Sequence, residues 1–177
     1  GLSYGMGKEK LIKELGLDDA AAENLFQRYH AKVPFIRALQ DQCARVAMDR
    51  GYIKTFAGRH CRFNLWEDRY KRTIPLPIKE AQERYGDTLK RSYTYKALNR
   101  LIQGSAADMT KLAMLGLWEE GIVPHLQVHD EVDISITDLD QAKKIVEIME
   151  NCVKLTVPLL VDMEIGPSWG EIKEIKK

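Results

Sequence analysis

The sequence predicts an α+β fold with long helices on a small, mostly antiparallel sheet, and three observations carry that prediction. Apolar stripes of helical period alternate with short paired strands. The pairs close around tight turns, and no strand–helix–strand rhythm of a parallel sheet runs through the chain. At 177 residues and 45% hydrophobic, the chain can bury one core, as a domain or as a piece of a larger protein.

The elements follow in order. Gly5-Met6-Gly7 opens flexibly, and Leu11, Ile12 and Leu15 mark a short helix that stops at Gly16. Asp18 is the natural N-cap of the next helix, since its carboxylate can accept from a free first-turn amide. Pro34 should break that helix, with a second stretch from Phe35 to Met48 ended by Gly51. Tyr52–Phe56 and Arg59–Phe63 form a hairpin around Ala57-Gly58. Residues 64–92 are the least regular and read as a surface insertion (63–93 at its widest) with one short helix near Lys79–Tyr85.

The second half is more regular. Leu98, Leu101, Ile102, Ala106, Met109, Leu112 and Ala113 define one face of a helix over Tyr95–Glu119, which Gly121 ends. His125–Val128 and Val132–Thr137 read as strands, and Asp138 or Asp140 caps a helix to about Val153 with Ala142, Ile145, Val146, Ile148 and Met149 inward. Val157–Ile165 reads as a final strand closed by Gly166-Pro167. The organisation expected is residues 1–50 as one helical part and 51–177 as the sheet-bearing part.

Composition excludes more than it identifies. Lysine and arginine number 27 against 26 acids, and this near balance leaves nucleic-acid binding to local patches. Cys43, Cys61 and Cys152 are odd in number and contain no CxxC pair, so neither a zinc site nor a disulfide framework is expected, and a reducing cytoplasm is the natural setting. No apolar run approaches the roughly 18–20 residues of a membrane span. A start at Gly1, without methionine or signal peptide, reads as an excised or split segment.

Three constellations carry chemistry. Gln127-Val128-His129-Asp130-Glu131 puts two carboxylates at the tip of an apolar hairpin. A rigid turn can hold them for a divalent cation, and Mg²⁺ favours one or two carboxylates plus substrate phosphates. Acids are also common in solvated turns. Asn99 and Gln103 lie one helical turn apart in Asn99–Asp108, and their amides suit the acceptors that every base pair shows in the minor groove. Gly104, Ala106 and Ala107 allow close approach of a backbone or duplex. Tyr4-Gly5-Met6-Gly7 sets an aromatic beside glycines, a weak stacking signal alone. A zinc site from His125, His129 and Asp130 is disfavoured, because histidines four apart on a strand do not share a face as helical ligands do.

The order of these motifs, with Thr55-x-x-Gly58-Arg59 between the first and second, resembles the family A DNA polymerases, bacterial DNA polymerase I and related phage replicative enzymes. The resemblance runs from Gly1 to Trp169, apart from 64–92. It implies that residues 1–50 end the fingers and that 51–177 belong to the palm. It further implies that Asp130 and Glu131 are the catalytic, metal-binding carboxylates for two Mg²⁺ ions in the complete enzyme. By the same match Tyr4 lies beside the templating base, Asn99 and Gln103 face the primer-template minor groove, His129 lies near the primer terminus, and Arg59 lies near the duplex backbone. Bacterial members usually have an arginine where this chain has Tyr95; Lys96 to Asn99 follows the phage pattern instead, which makes Lys96 a further DNA-binding candidate. The implied partners are primer-template DNA, deoxynucleoside triphosphates and an N-terminal part carrying a second metal-binding aspartate and the nucleotide-binding fingers helix. The implied activity is DNA-directed nucleotidyl transfer, incomplete in this chain alone. A duplex-binding module without catalysis is the competing reading.

Overall fold

A computed structural model of the chain describes residues 2 and 6–174. Tyr4 and Gly5 lie outside the described residues. The chain divides into two compact units, residues 1–104 and 105–177. The helical part and the first hairpin on either side of residue 50 therefore share one unit.

In the first unit, α1 (Lys8–Leu15) ends at Gly16, whose φ of 64° lets its amide close on Ile12. Asp18 caps α2 (Asp19–Lys32) by accepting from the Ala21 amide at 2.7 Å. Pro34 does two things: it ends α2 and opens α3 (Pro34–Arg50) from the first helical position, where its missing N–H costs nothing. Antiparallel β1 (Tyr52–Lys54) and β2 (His60–Arg62) pair Ile53 with Cys61. The core is built from Cys43 and Ala47 of α3, Ile53, Phe63, and Ala97 and Leu98 farther along the chain. Ala47 and Ala97 are fully buried, so α3 and the start of the next long helix pack through small side chains.

Residues 64–92 are more ordered than their composition suggests. β3 (Leu65–Asp68), β4 (Leu76–Pro77) and β5 (Leu89–Arg91) form an antiparallel sheet in the order β4-β3-β5, backed by α4 (Ile78–Tyr85). Pro75 and Pro77 disguised the sheet in the sequence. Pro77 is compatible with it because β4 is an edge strand, where a missing donor breaks no ladder. The Tyr85 hydroxyl donates to the Ile74 carbonyl at 2.9 Å and ties α4 to the strand that precedes it.

A 3-10 turn, Thr94–Lys96, leads into α5 (Ala97–Glu119). The expected inward stripe of α5 holds at Leu98 and Ala113, but Ile102 and Ala106 are exposed. The helix turns its buried face toward Leu117 instead, a position the stripe did not include. Leu117 is fully buried with Ile122 and Ile145, and Val132, Ile134, Ile136, Ile148 and Met149 pack around them as the core of the second unit. Full burial of one leucine contributes roughly 1.5–3 kcal/mol.

Two expected strands are shorter than read. β7 (Glu131–Asp133) pairs with β6 (Leu126–Val128), and the ladder stops there, although Ile134 and Ile136 still alternate into the core. Only Glu164–Ile165 (β8) of the expected Val157–Ile165 strand finds a partner, β9 (Lys173–Glu174). Side-chain alternation without a neighbouring backbone does not make a strand. Between them α6 (Leu139–Asn151) is capped by Asp138, and Gln141 reaches back to the Thr137 amide at 2.8 Å.

The Asp138 carboxylate accepts the Gln141 amide at 2.8 Å and the Thr137 hydroxyl at 3.0 Å. These bonds, the backbone amide foremost, hold it below the ordinary carboxylate value of 3.8. Folding thus favours the charged form. The contribution is complete at neutral pH and is lost as pH falls through the folded value. Asp138→Ala should lower the melting temperature by about 2–4 °C at pH 7. In circular-dichroism melts the gap from the parent should close in acid; a gap that persists at low pH would rule out the charged cap as its source.

Candidate nucleic-acid and metal-binding site

The first unit assembles its candidates around the start of α5. Thr55, Gly58 and Arg59 form the loop between β1 and β2. The buried Thr55 receives the Arg59 amide on its hydroxyl at 3.0 Å and the Gly58 amide on its carbonyl at 3.0 Å, while its own amide donates to the Arg59 carbonyl at 2.9 Å. Gly58 has φ 92°, which explains glycine at that place. The loop so closed projects the Arg59 guanidinium onto the Gly104 carbonyl of α5 at 2.8 Å. Arg59 therefore ties the hairpin to the helix turn that carries Gln103.

Asn99 and Gln103 share one face of α5; Asn99 is half-buried and Gln103 exposed. Neither amide side chain has a hydrogen-bond partner among the described residues, so both can donate and accept toward a ligand. Lys96 precedes them, its ammonium 4.8 Å from the Tyr93 ring centroid and 5.6 Å from that of Tyr95. Tyr93 has φ 59°, an unusual backbone for a tyrosine, and its carbonyl accepts the Lys96 amide at 2.9 Å. Lys96 is thus held as an exposed cation between two aromatic rings, with Tyr95 occupying the arginine position of bacterial sequences. Tyr4 is not among the described residues.

The second unit carries the acidic hairpin. Val128 pairs with Glu131, leaving His129-Asp130 as a two-residue turn. His129 has φ 55°, a positive value that tight hairpins require at the first central residue, and the Gln127 side-chain amide donates to its carbonyl. His129, Asp130 and Glu131 are exposed, and neither carboxylate is engaged by another described side chain. His125 turns to Ser135, 3.1 Å from its hydroxyl. Among the described residues no three His, Cys, Asp or Glu side chains gather as a metal cluster. The hairpin offers two hard oxygen donors on a rigid support, which fits a cation that completes its shell with phosphates and further ligands.

A family model described as DNA polymerase family A matches residues 1–171. The chain belongs to this family. A DNA-directed DNA polymerase of Pseudomonas phage M6 is 35% identical over 96% of this chain and 28% of its own. The thermostable DNA polymerase I of Thermus filiformis is 34% identical over 98% of this chain and 20% of its own. Among solved structures, the POL domain of Pol1 from M. smegmatis, in complex with DNA primer-template and dNTP, matches with a TM-score of 0.67 and 26% identity, covering 90% of this chain and 27% of that one. The chain thus spans between a fifth and just over a quarter of the length of these family A relatives. No helix among the described residues is long and apolar enough to cross a membrane.

Two arginines packed beside these candidates escaped sequence reasoning. Arg100 lies over the Phe63 ring at 4.4 Å and donates to the Arg62 carbonyl at 2.8 Å. Arg91 donates to the Met48 carbonyl at 3.1 Å and the Phe63 carbonyl at 3.0 Å, and lies 4.4 Å over Trp66. Neither has a local sequence signal, because its partners are backbone oxygens distant in the chain.

Gly104 admits a test of how tightly loop and helix fit. A Cβ there would lie 3.0 Å from Thr55 Cγ2 and 3.3 Å from Cys61 Sγ. In an open helix Gly→Ala gains about 1 kcal/mol. Here Gly104→Ala should lower the melting temperature, and adding Thr55→Ser, which deletes the crowding methyl but keeps the hydroxyl, should recover part of the loss. A clear stabilisation by Gly104→Ala alone would show that the hairpin gives way freely.

Proposed function

We propose that this chain is the C-terminal part of a DNA-directed DNA polymerase, residues 1–50 ending the fingers and 51–177 contributing palm, and that it acts in nucleotidyl transfer from deoxynucleoside triphosphates to a primer 3′ end. The observation that supports this most is Asp130: an unengaged carboxylate on a two-residue turn, within a family A match that spans residues 1–171. Asp130 and Glu131 would hold Mg²⁺. When bound, two such ions would stabilise the charge of phosphoryl transfer and activate the primer hydroxyl. Two ions would need more ligand oxygens than one pair of carboxylates offers. Asp130 lies in the turn and Glu131 begins β7, and no third His, Cys, Asp or Glu gathers with them among the described residues, so a further ligand must come from elsewhere.

The remaining candidates handle DNA in this reading. Asn99 and Gln103 face acceptors common to all base pairs, which suits an enzyme that must accept any sequence. Arg59 and Lys96 lie along the backbone, His129 near the primer terminus and Tyr4 beside the templating base. The setting is the cytoplasm of a bacterium or a phage-infected host.

One series of primer-extension assays in the whole polymerase tests the assignment, with the isolated chain, expected inactive, as baseline. Asp130→Ala should reduce turnover by about 100-fold or more, since metal-borne stabilisation is worth several kcal/mol, while duplex affinity stays nearly unchanged. Gln103→Ala should instead lower incorporation several-fold with no new sequence preference, the size expected of roughly one hydrogen bond. Unchanged turnover in Asp130→Ala would remove the metal assignment and leave a duplex-binding module.

A further inference from the structure

The segment between β3 and β4 has no part in the reading above. Its chemistry is concentrated in one turn, Asp68-Arg69-Tyr70-Lys71-Arg72-Thr73. Asp68 is buried, and one of its carboxylate oxygens accepts the amides of Tyr70 at 2.7 Å and Lys71 at 2.8 Å. Its own amide donates to the Thr73 hydroxyl at 3.0 Å, and the Arg69 amide donates to the Thr88 carbonyl at 2.9 Å. Four successive amides are therefore satisfied, three within the turn and one by Thr88, and the backbone is fixed.

What the fixed turn presents is unusual. Arg69, Lys71 and Arg72 are exposed, and no ion pair or hydrogen bond engages their side chains among the described residues. Tyr70 stands among them 79% exposed. Of the two acids at the end of β3, Asp68 accepts backbone amides and acts on Lys71 through its charge, and Glu67 is paired with Lys90 at 3.4 Å and the Ser92 hydroxyl at 3.1 Å. Three cations held within four residues repel one another, and one carboxylate, Asp68 acting on Lys71, does not offset all of that. A polyanion would, and cations interleaved with an exposed aromatic match a nucleic-acid strand, whose phosphates take the charges and whose unpaired bases take the ring.

We propose that the Asp68–Thr73 turn is a sequence-independent contact for primer-template DNA, with Arg69, Lys71 and Arg72 on backbone phosphates and Tyr70 stacked on an unpaired base of the template overhang. The choice of DNA as the polyanion rests on the polymerase reading. Keeping Asp68 and Thr73 preserves the turn, so the side chains that face outward can be removed without dismantling it.

The test is fluorescence anisotropy of the 177-residue chain with a labelled primer-template carrying a single-stranded overhang, titrated across salt concentrations. Each phosphate contact contributes about 0.9 to the slope of log affinity against log salt. The triple variant Arg69→Ala/Lys71→Ala/Arg72→Ala should flatten that slope by about 2–3 and weaken binding on the order of tenfold or more at low salt. Tyr70→Ala should weaken binding to the tailed substrate more than to a blunt duplex and leave the slope unchanged. A control that neutralises Lys13, Lys32 and Lys154 should bind like the parent. Circular dichroism and melting temperature should match the parent in every variant. Triple-variant affinity within twofold of the parent with the same slope would overturn the proposal, as would an equal loss in the control or tighter binding of the turn to anionic lipid vesicles than to DNA. The readout is affinity, so such a result sinks this contact alone, whereas full turnover in Asp130→Ala removes the metal assignment and leaves this contact standing.

Discussion

Backbone carbonyls left over where helices, hairpins and loops meet must find donors, and in the first unit three arginines supply them. Arg91 serves Met48 near the end of α3 and Phe63 after β2, Arg100 serves Arg62, and Arg59 serves Gly104. A charged donor makes a stronger hydrogen bond than a neutral one. Two of these guanidiniums also lie on rings, Arg91 on Trp66 and Arg100 on Phe63, so one side chain satisfies an oxygen and covers a ring. Gly51 shows how close this packing is: a Cβ there would fall 2.7 Å from the Arg91 guanidinium carbon.

This arrangement bears on function because it fixes α5. The duplex contact proposed for the Asn99/Gln103 face requires a helix that cannot roll. Arg100 anchors it to the end of β2, and Arg59 anchors it at Gly104, one residue past Gln103. Glycine at 104 allows Thr55 and Cys61 to approach the helix directly. The motif Thr55-x-x-Gly58-Arg59 is thus first a local structural device, a loop closed by threonine that aims an arginine at a helix. That role is compatible with the DNA contact proposed for the same exposed guanidinium.

In the second unit the corresponding constraint is the two-residue turn at His129-Asp130. A tight hairpin fixes the Asp130 carboxylate with little freedom, and the core around Leu117, Ile122 and Ile145 backs the hairpin through Val132. Both carboxylates of the hairpin are exposed and unengaged among the described residues, unlike the buried Asp68, whose carboxylate is consumed by its own turn.

Much of this was legible in the sequence, for a physical reason. Helix ends at Gly16, Gly51 and Gly121, caps at Asp18 and Asp138, and the hairpins at Gly58 and His129-Asp130 depend on residues within a few positions of each other, and local chemistry specifies local geometry. The linear order of the motifs likewise identified the family. Tertiary structure alone decided whatever needed a distant partner. Pairing turned residues 65–91 into a sheet and denied strand status to most of 157–165, because a ladder requires a neighbour that alternation cannot promise. The burial of Leu117 rather than Ile102, and the attachment of Arg59, Arg91 and Arg100 to far carbonyls, were set by which surfaces meet after the chain has folded, and no spacing along the sequence encodes that.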